Sequence, residues 1–134
     1  MAYPQEHLNP EWIRKGINND AVEWARSFGE FLSTQQDRKK PLTTSQIRKF
    51  FGELKRTQAD VEKHLQNLPM LKAQLAYAVG RDNNTCITFF NDELSKGIDV
   101  VVSANTDLES VKYFKNFVKI VESVVAFHKF YGGK

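Results

Sequence analysis

The chain has 134 residues, 41% of them hydrophobic, 12% aromatic and 26% charged, with a formal net charge of +3. These proportions suit one globular domain over residues 1–134 and exclude intrinsic disorder and a collagen-like repeat, while the single cysteine, Cys86, excludes an internal disulfide framework. No apolar run approaches the ~20 residues of a membrane helix, and Met1 to Glu6 hold neither a basic nor an apolar signal region, so a reducing cytoplasm without membrane contact is expected.

Period-2 alternation is scarce and apolar spacings of three and four recur, which predicts an all-α compact bundle of about five helices. Asn9-Pro10 reads as an N-cap with proline in the first helical position, opening a short helix or turn through Trp12 and Ile13. Asn18-Asn19-Asp20 breaks it. Asp20 is expected to cap the next helix, with Glu23 in the capping-box position and Val22, Ala25, Phe28 and Leu32 facing inward as far as Ser33 or Thr34. Asp37 to Pro41 is a polar, basic loop. Thr43-Thr44-Ser45-Gln46 supplies a second capping box for a helix from about Thr44 to Gln66, with Ile47, Phe50, Phe51, Leu54, Val61 and Leu65 as its inner stripe.

Asn67-Leu68-Pro69 restarts the chain, and Leu71, Leu75, Ala78 and Val79 define a helix ending around Gly80 with Arg81 at its exit. After the Asp82-Asn83-Asn84 turn, Cys86, Ile87, Phe90, Leu94, Ile98 and Val101 give the following helix its inner face, which Gly97 is expected to weaken locally. Val100 to Val102 reads as the end of that helix or as a short strand, and the helix is preferred because a lone strand has no partner. Asn105-Thr106-Asp107 caps the last helix. From Val111 to Tyr131 the apolar positions cover about 200° of the wheel, twice the ~100° stripe of a surface helix, so this helix belongs at the centre of the bundle. The arc left over carries Lys112, Lys115, Lys119, Glu122 and Ala126.

Charge is segregated along the chain. Residues 37–64 and 110–134 are each net +4, whereas 82–109 is net −5. Such a pattern suits contact with a polyanion, head-to-tail contact between copies, or simply solvated helix faces.

Catalytic chemistry finds no support in the spacing. No Glu-x-x-His pair of a di-metal bundle occurs, and His7, His64, His128 and Cys86 are scattered singly. Cys86 and His128 both fall on apolar arcs, where such residues are usually core. Tyr131-Gly132-Gly133 is a flexible end rather than a phosphate loop. No catalytic residue, metal ligand or cofactor is therefore expected.

Binding chemistry is better represented. On the helix from Thr44, Arg48, Gly52, Lys55, Ala59 and Glu62 share one flank, where two small residues alternating with two cations would admit a sugar-phosphate backbone. Arg48 could equally bridge to a carboxylate, and Arg81 could equally complement a helix dipole. Lys49, Arg56 and Lys72 are further candidates from the helical wheel, as are Lys112, Lys115 and Lys119 of the last helix. No sheet aromatics or Gly-x-x-Gly loop for base readout is present.

Three motifs point to one family: Leu42-Thr43-Thr44-Ser45-Gln46-Ile47-Arg48, Leu75-Ala76-Tyr77-Ala78-Val79-Gly80-Arg81, and Val125-Ala126-Phe127-His128-Lys129-Phe130-Tyr131-Gly132-Gly133. They resemble the small subunit of the type III-A CRISPR effector, the Csm complex, over about residues 40 to 134, leaving 1–39 unmatched. The resemblance implies a non-catalytic helical bundle, stacked head to tail in several copies beside a backbone filament, that contacts guide RNA and target RNA while another subunit cuts. Arg48 and Arg81 match the basic positions of its motifs, and the Phe-His-Lys-Phe-Tyr end would be structural. The partners so implied are guide and target RNA, the backbone and large subunits, and further copies of the chain, with a dimer as one state open to the isolated protein. A self-assembly module that never touches RNA is the alternative reading.

Overall fold

The computed structural model describes residues 7–34, 36, 39–60 and 65–132. Expectations for Met1 to Glu6, Asp37, Val61, Glu62, His64 and Gly133 fall outside them. Six α-helices lie in this region: α1 (Pro10–Arg14), α2 (Asn19–Leu32), α3 (Thr44–Ala59), α4 (Pro69–Arg81), α5 (Ile87–Val102) and α6 (Asp107–Phe130). A 3₁₀ turn, Leu65–Asn67, precedes α4, and extended pairing is limited to isolated bridges between Gln36 and Lys39 and between Lys40 and Thr85.

Several local signals act as expected. The Asn9 side chain accepts from the Glu11 amide, Thr43 and Gln46 exchange both bonds of a capping box, and Thr106 caps α6 by accepting from Glu109. The valines at 100–102 continue α5 as helix.

Two boundaries differ. The cap of α2 is Asn18, whose extended backbone aims its side chain at the Ala21 amide, so Asp20 lies inside the first turn. The helix expected to reach Gln66 stops at Ala59, because Asp60 leaves helical space at φ −142°, ψ 71° and Leu65 already belongs to the 3₁₀ turn. The apolar period runs on past the break because Leu65 packs against the same core from a separate element.

The long C-terminal helix is central, packing against α1, α2, α3 and α5. Its inner surface comprises Phe114, Phe117, Val118, Ile120, Val121 and Val124. The most intimate contact is with α2. A Cβ on Gly29 would lie 2.8 Å from both the backbone nitrogen of His128 and the Cβ of Phe127, so the two helix backbones touch there only because residue 29 has no side chain. Gly97 of α5 has a similar role, since a Cβ would enter the space of the Phe117 ring. The glycine expected to weaken α5 thus admits a core phenylalanine.

Polar pins tie the outer pieces to this centre. Asn116 of α6 donates its side-chain amide to the Ile13 carbonyl at 2.7 Å. Buried Glu93 of α5 accepts from the Leu8 amide and hydrogen bonds to His7 Nδ1, each at 2.8 Å. Trp12, Trp24 and Phe28 form an aromatic cluster, with successive centroids 5.8 and 5.0 Å apart, that links α1 to α2. Both tryptophans are core residues.

Candidate nucleic-acid interface

The capping box orients α3 so that Ile47, Phe50 and Leu54 are buried, which forces the cations onto its two flanks. One flank faces α4. Lys49 and Glu53 line a groove there whose far side is Tyr77 and Arg81, with Phe50, Leu75 and Ile87 as apolar floor. The other flank carries Arg48, Gly52, Lys55 and Ala59, one turn apart on a helix, and a Cβ on Gly52 would meet nothing within 4 Å. The groove that holds Arg81 therefore receives Lys49, not Arg48, from α3.

The candidate cations differ in what they already hold. Arg56 pairs with Glu53 at 2.9 Å and Lys72 with Asp99 at 2.7 Å. Arg81 Nε lies 3.9 Å from Asp82, and the Arg81 side chain is largely exposed. Lys55 donates to the Gln58 side chain at 2.9 Å and stands 5.8 Å over the Phe51 ring. Among the described residues the side chains of Arg48, Lys49, Lys112, Lys115 and Lys119 make no hydrogen bond or ion pair, and all five residues are exposed. Exposed cations without an internal partner keep their donors available to an external anion.

The lysine strip of α6 is one residue longer than the wheel suggests. Positions 112, 115, 119, 122, 126 and 129 step by three and four, so Lys129 continues the line, and it too is exposed. Sequence reasoning also passes over Tyr77, which is 70% exposed although it lies within a motif. Its signal is an aromatic residue off the Leu71, Leu75 and Ala78 stripe and one turn before Arg81.

The nucleophile and acid–base candidates are enclosed. Cys86 is fully buried, its thiol contacts the Thr34 carbonyl oxygen at 3.7 Å, and burial pushes its pKa up. His128 is buried with Nε2 2.6 Å from the Leu42 carbonyl oxygen. Burial holds its pKa below the ordinary value, with only partial opposition from that hydrogen bond. A carbonyl can only accept, so the proton of the neutral ring sits on Nε2. Among the described residues no three of His, Cys, Asp and Glu gather as a metal site, and no helix is long and apolar enough to cross a membrane.

A family model described as Csm2 Type III-A matches residues 17–134. The chain belongs to that family. The Csm2-family match begins just ahead of α2, so the family region takes in α2 and the loop to α3 as well as the segment from residue 40 onward that carries the three motifs. Membership makes this chain a small subunit of the type III-A Csm complex, associated with the other subunits of that assembly. Comparisons with curated proteins and with solved structures returned no match. In this Csm2-family chain the Phe-His-Lys-Phe-Tyr end has a clear structural component: Phe127 lies against Gly29, and His128 holds the loop before α3.

Proposed function

We propose that this Csm2-family chain is a non-catalytic, cytoplasmic subunit that grips the sugar-phosphate backbone of guide and target RNA in the interference complex used for antiviral defence. One observation carries the reading: the cations without a side-chain partner among the described residues, Arg48 and Lys49 on α3 and Lys112, Lys115 and Lys119 on α6, lie on exposed faces of two helices that pack together. Backbone contact by such residues is largely indifferent to sequence and strongly dependent on salt, because each neutralised phosphate releases counterion.

The test is titration of single-stranded RNA over a range of salt with the wild type and with Arg48→Ala combined with Arg81→Ala. We expect weaker binding on every sequence and a flatter salt dependence, by roughly one unit of log–log slope for each phosphate that is no longer neutralised. Unchanged affinity and slope in the double variant would remove these two residues from the interface.

The same reading includes stacked copies, and the distribution of charge along α6 supports it. Asp107 and Glu109 open the helix beside Leu108, which is 83% exposed. Lys129 closes it beside Phe130, which is 73% exposed, about 33 Å away at 1.5 Å per residue. Lys40 lies at this second end, because its neighbour Leu42 bonds to His128. An acidic and a basic end, each with an exposed apolar residue, are complementary head to tail. This feature would serve equally a chain that assembles without RNA. Sedimentation velocity at low and high salt, with and without RNA, separates the two: salt-sensitive self-association without any RNA binding would favour the pure assembly module.

A further inference from the structure

The groove between α3 and α4 has a composition that backbone contact alone does not require. Its floor is apolar, formed by Phe50, Leu75 and Ile87, and its two walls carry Lys49 and Arg81. On the same wall as Arg81 stands Tyr77, 70% exposed on a helix whose neighbouring positions leave room around it. Ala73 and Ala76 are small, and a Cβ on Gly80 would meet nothing within 4 Å. The ring is therefore open to a flat partner, and Arg81 follows it one turn later on the same side of the helix.

The charges around it favour an anion. No acidic residue occurs anywhere in α4. Of the two carboxylates in the groove, Glu53 is neutralised by Arg56 at 2.9 Å, and Asp82 is held by the Gln46 amide at 3.4 Å and by Arg81 at 3.9 Å. Lys49 has no partner among the described residues. An apolar floor, an open aromatic ring and flanking cations are what a nucleotide with an unstacked base needs: the ring covers the base, and the cations meet the phosphates on either side.

We propose that the α3–α4 groove receives one unpaired nucleobase of single-stranded RNA stacked on Tyr77, with Lys49 and Arg81 on the adjoining phosphates. This rests on the RNA-backbone reading above and sharpens it, since it makes this subunit prefer unpaired over duplex RNA. Stacking of this kind tolerates any base, in keeping with the lack of a base-reading motif.

The test uses the full chain with an oligouridylate and with a perfectly paired RNA duplex of the same length, read by fluorescence anisotropy over a range of salt. Tyr77→Ala is expected to weaken binding to the single strand about tenfold, to leave its salt slope unchanged, and to spare the duplex. Tyr77→Phe keeps the ring and should bind within about twofold of wild type, whereas Arg81→Ala should flatten the salt slope. Because Tyr77 is exposed, the alanine variant is expected to fold, which circular dichroism checks directly. Normal single-strand binding by Tyr77→Ala, with weakened binding by Arg81→Ala, overturns the stacking and leaves the backbone contact standing. Equal weakening on single strand and duplex also overturns it. Absence of RNA binding by the wild type overturns both proposals at once. If Tyr77→Ala instead abolishes co-purification with the other complex subunits while RNA binding is intact, the groove is a protein contact and the inference fails.

Discussion

His128 donates from Nε2 to the carbonyl oxygen of Leu42 across 2.6 Å, joining the last helix to a loop 86 residues earlier in the chain. The amide of the same leucine donates to the Leu32 carbonyl at 2.8 Å, so one fully buried residue couples the end of α2 to the end of α6 just before α3 begins. Burial lowers the histidine pKa in the folded state, and adjacent Lys129 acts in the same direction. The stability this provides is complete above the unfolded value of about 6.5 and is lost as pH falls through the lower folded value, since the unfolded chain then binds a proton that the native ring resists. Urea unfolding should show a fall in stability below about pH 6.5, and His128→Gln, which can still donate but does not titrate, should reduce that fall. His128→Ala leaves the Leu42 carbonyl unpaired and should cost about 1–3 kcal/mol at neutral pH.

Two glycines should respond in opposite directions to the same substitution. Gly29→Ala puts a methyl group 2.8 Å from the backbone of α6 and should destabilise by about 1–3 kcal/mol through overpacking. Gly52→Ala adds a methyl group in open space inside α3 and should stabilise by about 0.5–1 kcal/mol through helix propensity. Thermal midpoints of the two variants would differ in sign from wild type, and a fall in both would refute the reading of Gly52.

Glu93 should govern the N-terminal segment. Its carboxylate is buried, accepts the Leu8 amide, bonds to His7 and lies 3.5 Å from Lys96 Nζ. Glu93→Ala removes a charged acceptor from the Leu8 amide, at a cost of about 1.5–3 kcal/mol. Hydrogen exchange should locate the effect: the Leu8 amide loses protection, while amides in the α2–α6 contact keep theirs under native conditions.

Cys86 should be inert in the folded protein. Its thiol is enclosed and its pKa is raised by burial, so little thiolate is available at neutral pH. Labelling by an aromatic disulfide reagent should proceed at the rate of opening and become fast only in denaturant. Rapid labelling of the native protein would contradict the packing of the α5 N-terminus.

The interface reading also separates cations that the sequence leaves equivalent. Lys112→Gln with Lys115→Gln and Lys119→Gln removes charges that have no internal partner among the described residues, and should weaken RNA binding and flatten its salt dependence. Lys72→Gln breaks the surface pair to Asp99 and should change stability by no more than about 1 kcal/mol and RNA affinity much less than the triple change. Filter binding of the two variants side by side decides between them.

Much of the fold is legible because short-range chemistry determines it. The Ile47, Phe50 and Leu54 stripe and the wide apolar arc of the last helix follow from a 3.6-residue period, and the caps at Asn9, Thr43 and Thr106 from side chains that can reach an amide two or three residues on. Asn18 and Asp20 are both competent caps two residues apart, and only the backbone conformation of Asn18 selects between them. The end of α3 is hidden because Leu65 returns to the core from a different element, so the apolar period does not register the interruption. Gly97 reads as a weak point in its helix and Gly29 carries no signal at all, since nothing local announces the ring or the backbone that approaches them from α6. The groove is out of reach for the same reason. Lys49 and Arg81 are brought together by the crossing of α3 and α4, and a wheel drawn for one helix cannot show the wall supplied by the other.

The pins from α6 to Ile13 and Leu42 span 103 and 86 residues, and that from Glu93 to Leu8 spans 85. A bundle closed by such distant partners pays the entropy of large loops before its contacts form, so its folding should be slow among helical proteins of this size. On the ribosome, α2 and its aromatic cluster emerge long before the helix that covers them. The chain must therefore wait, with that surface uncovered, until synthesis of its last segment is finished, and removal of the final turns of α6 would leave the α2 face around Gly29 uncovered for good.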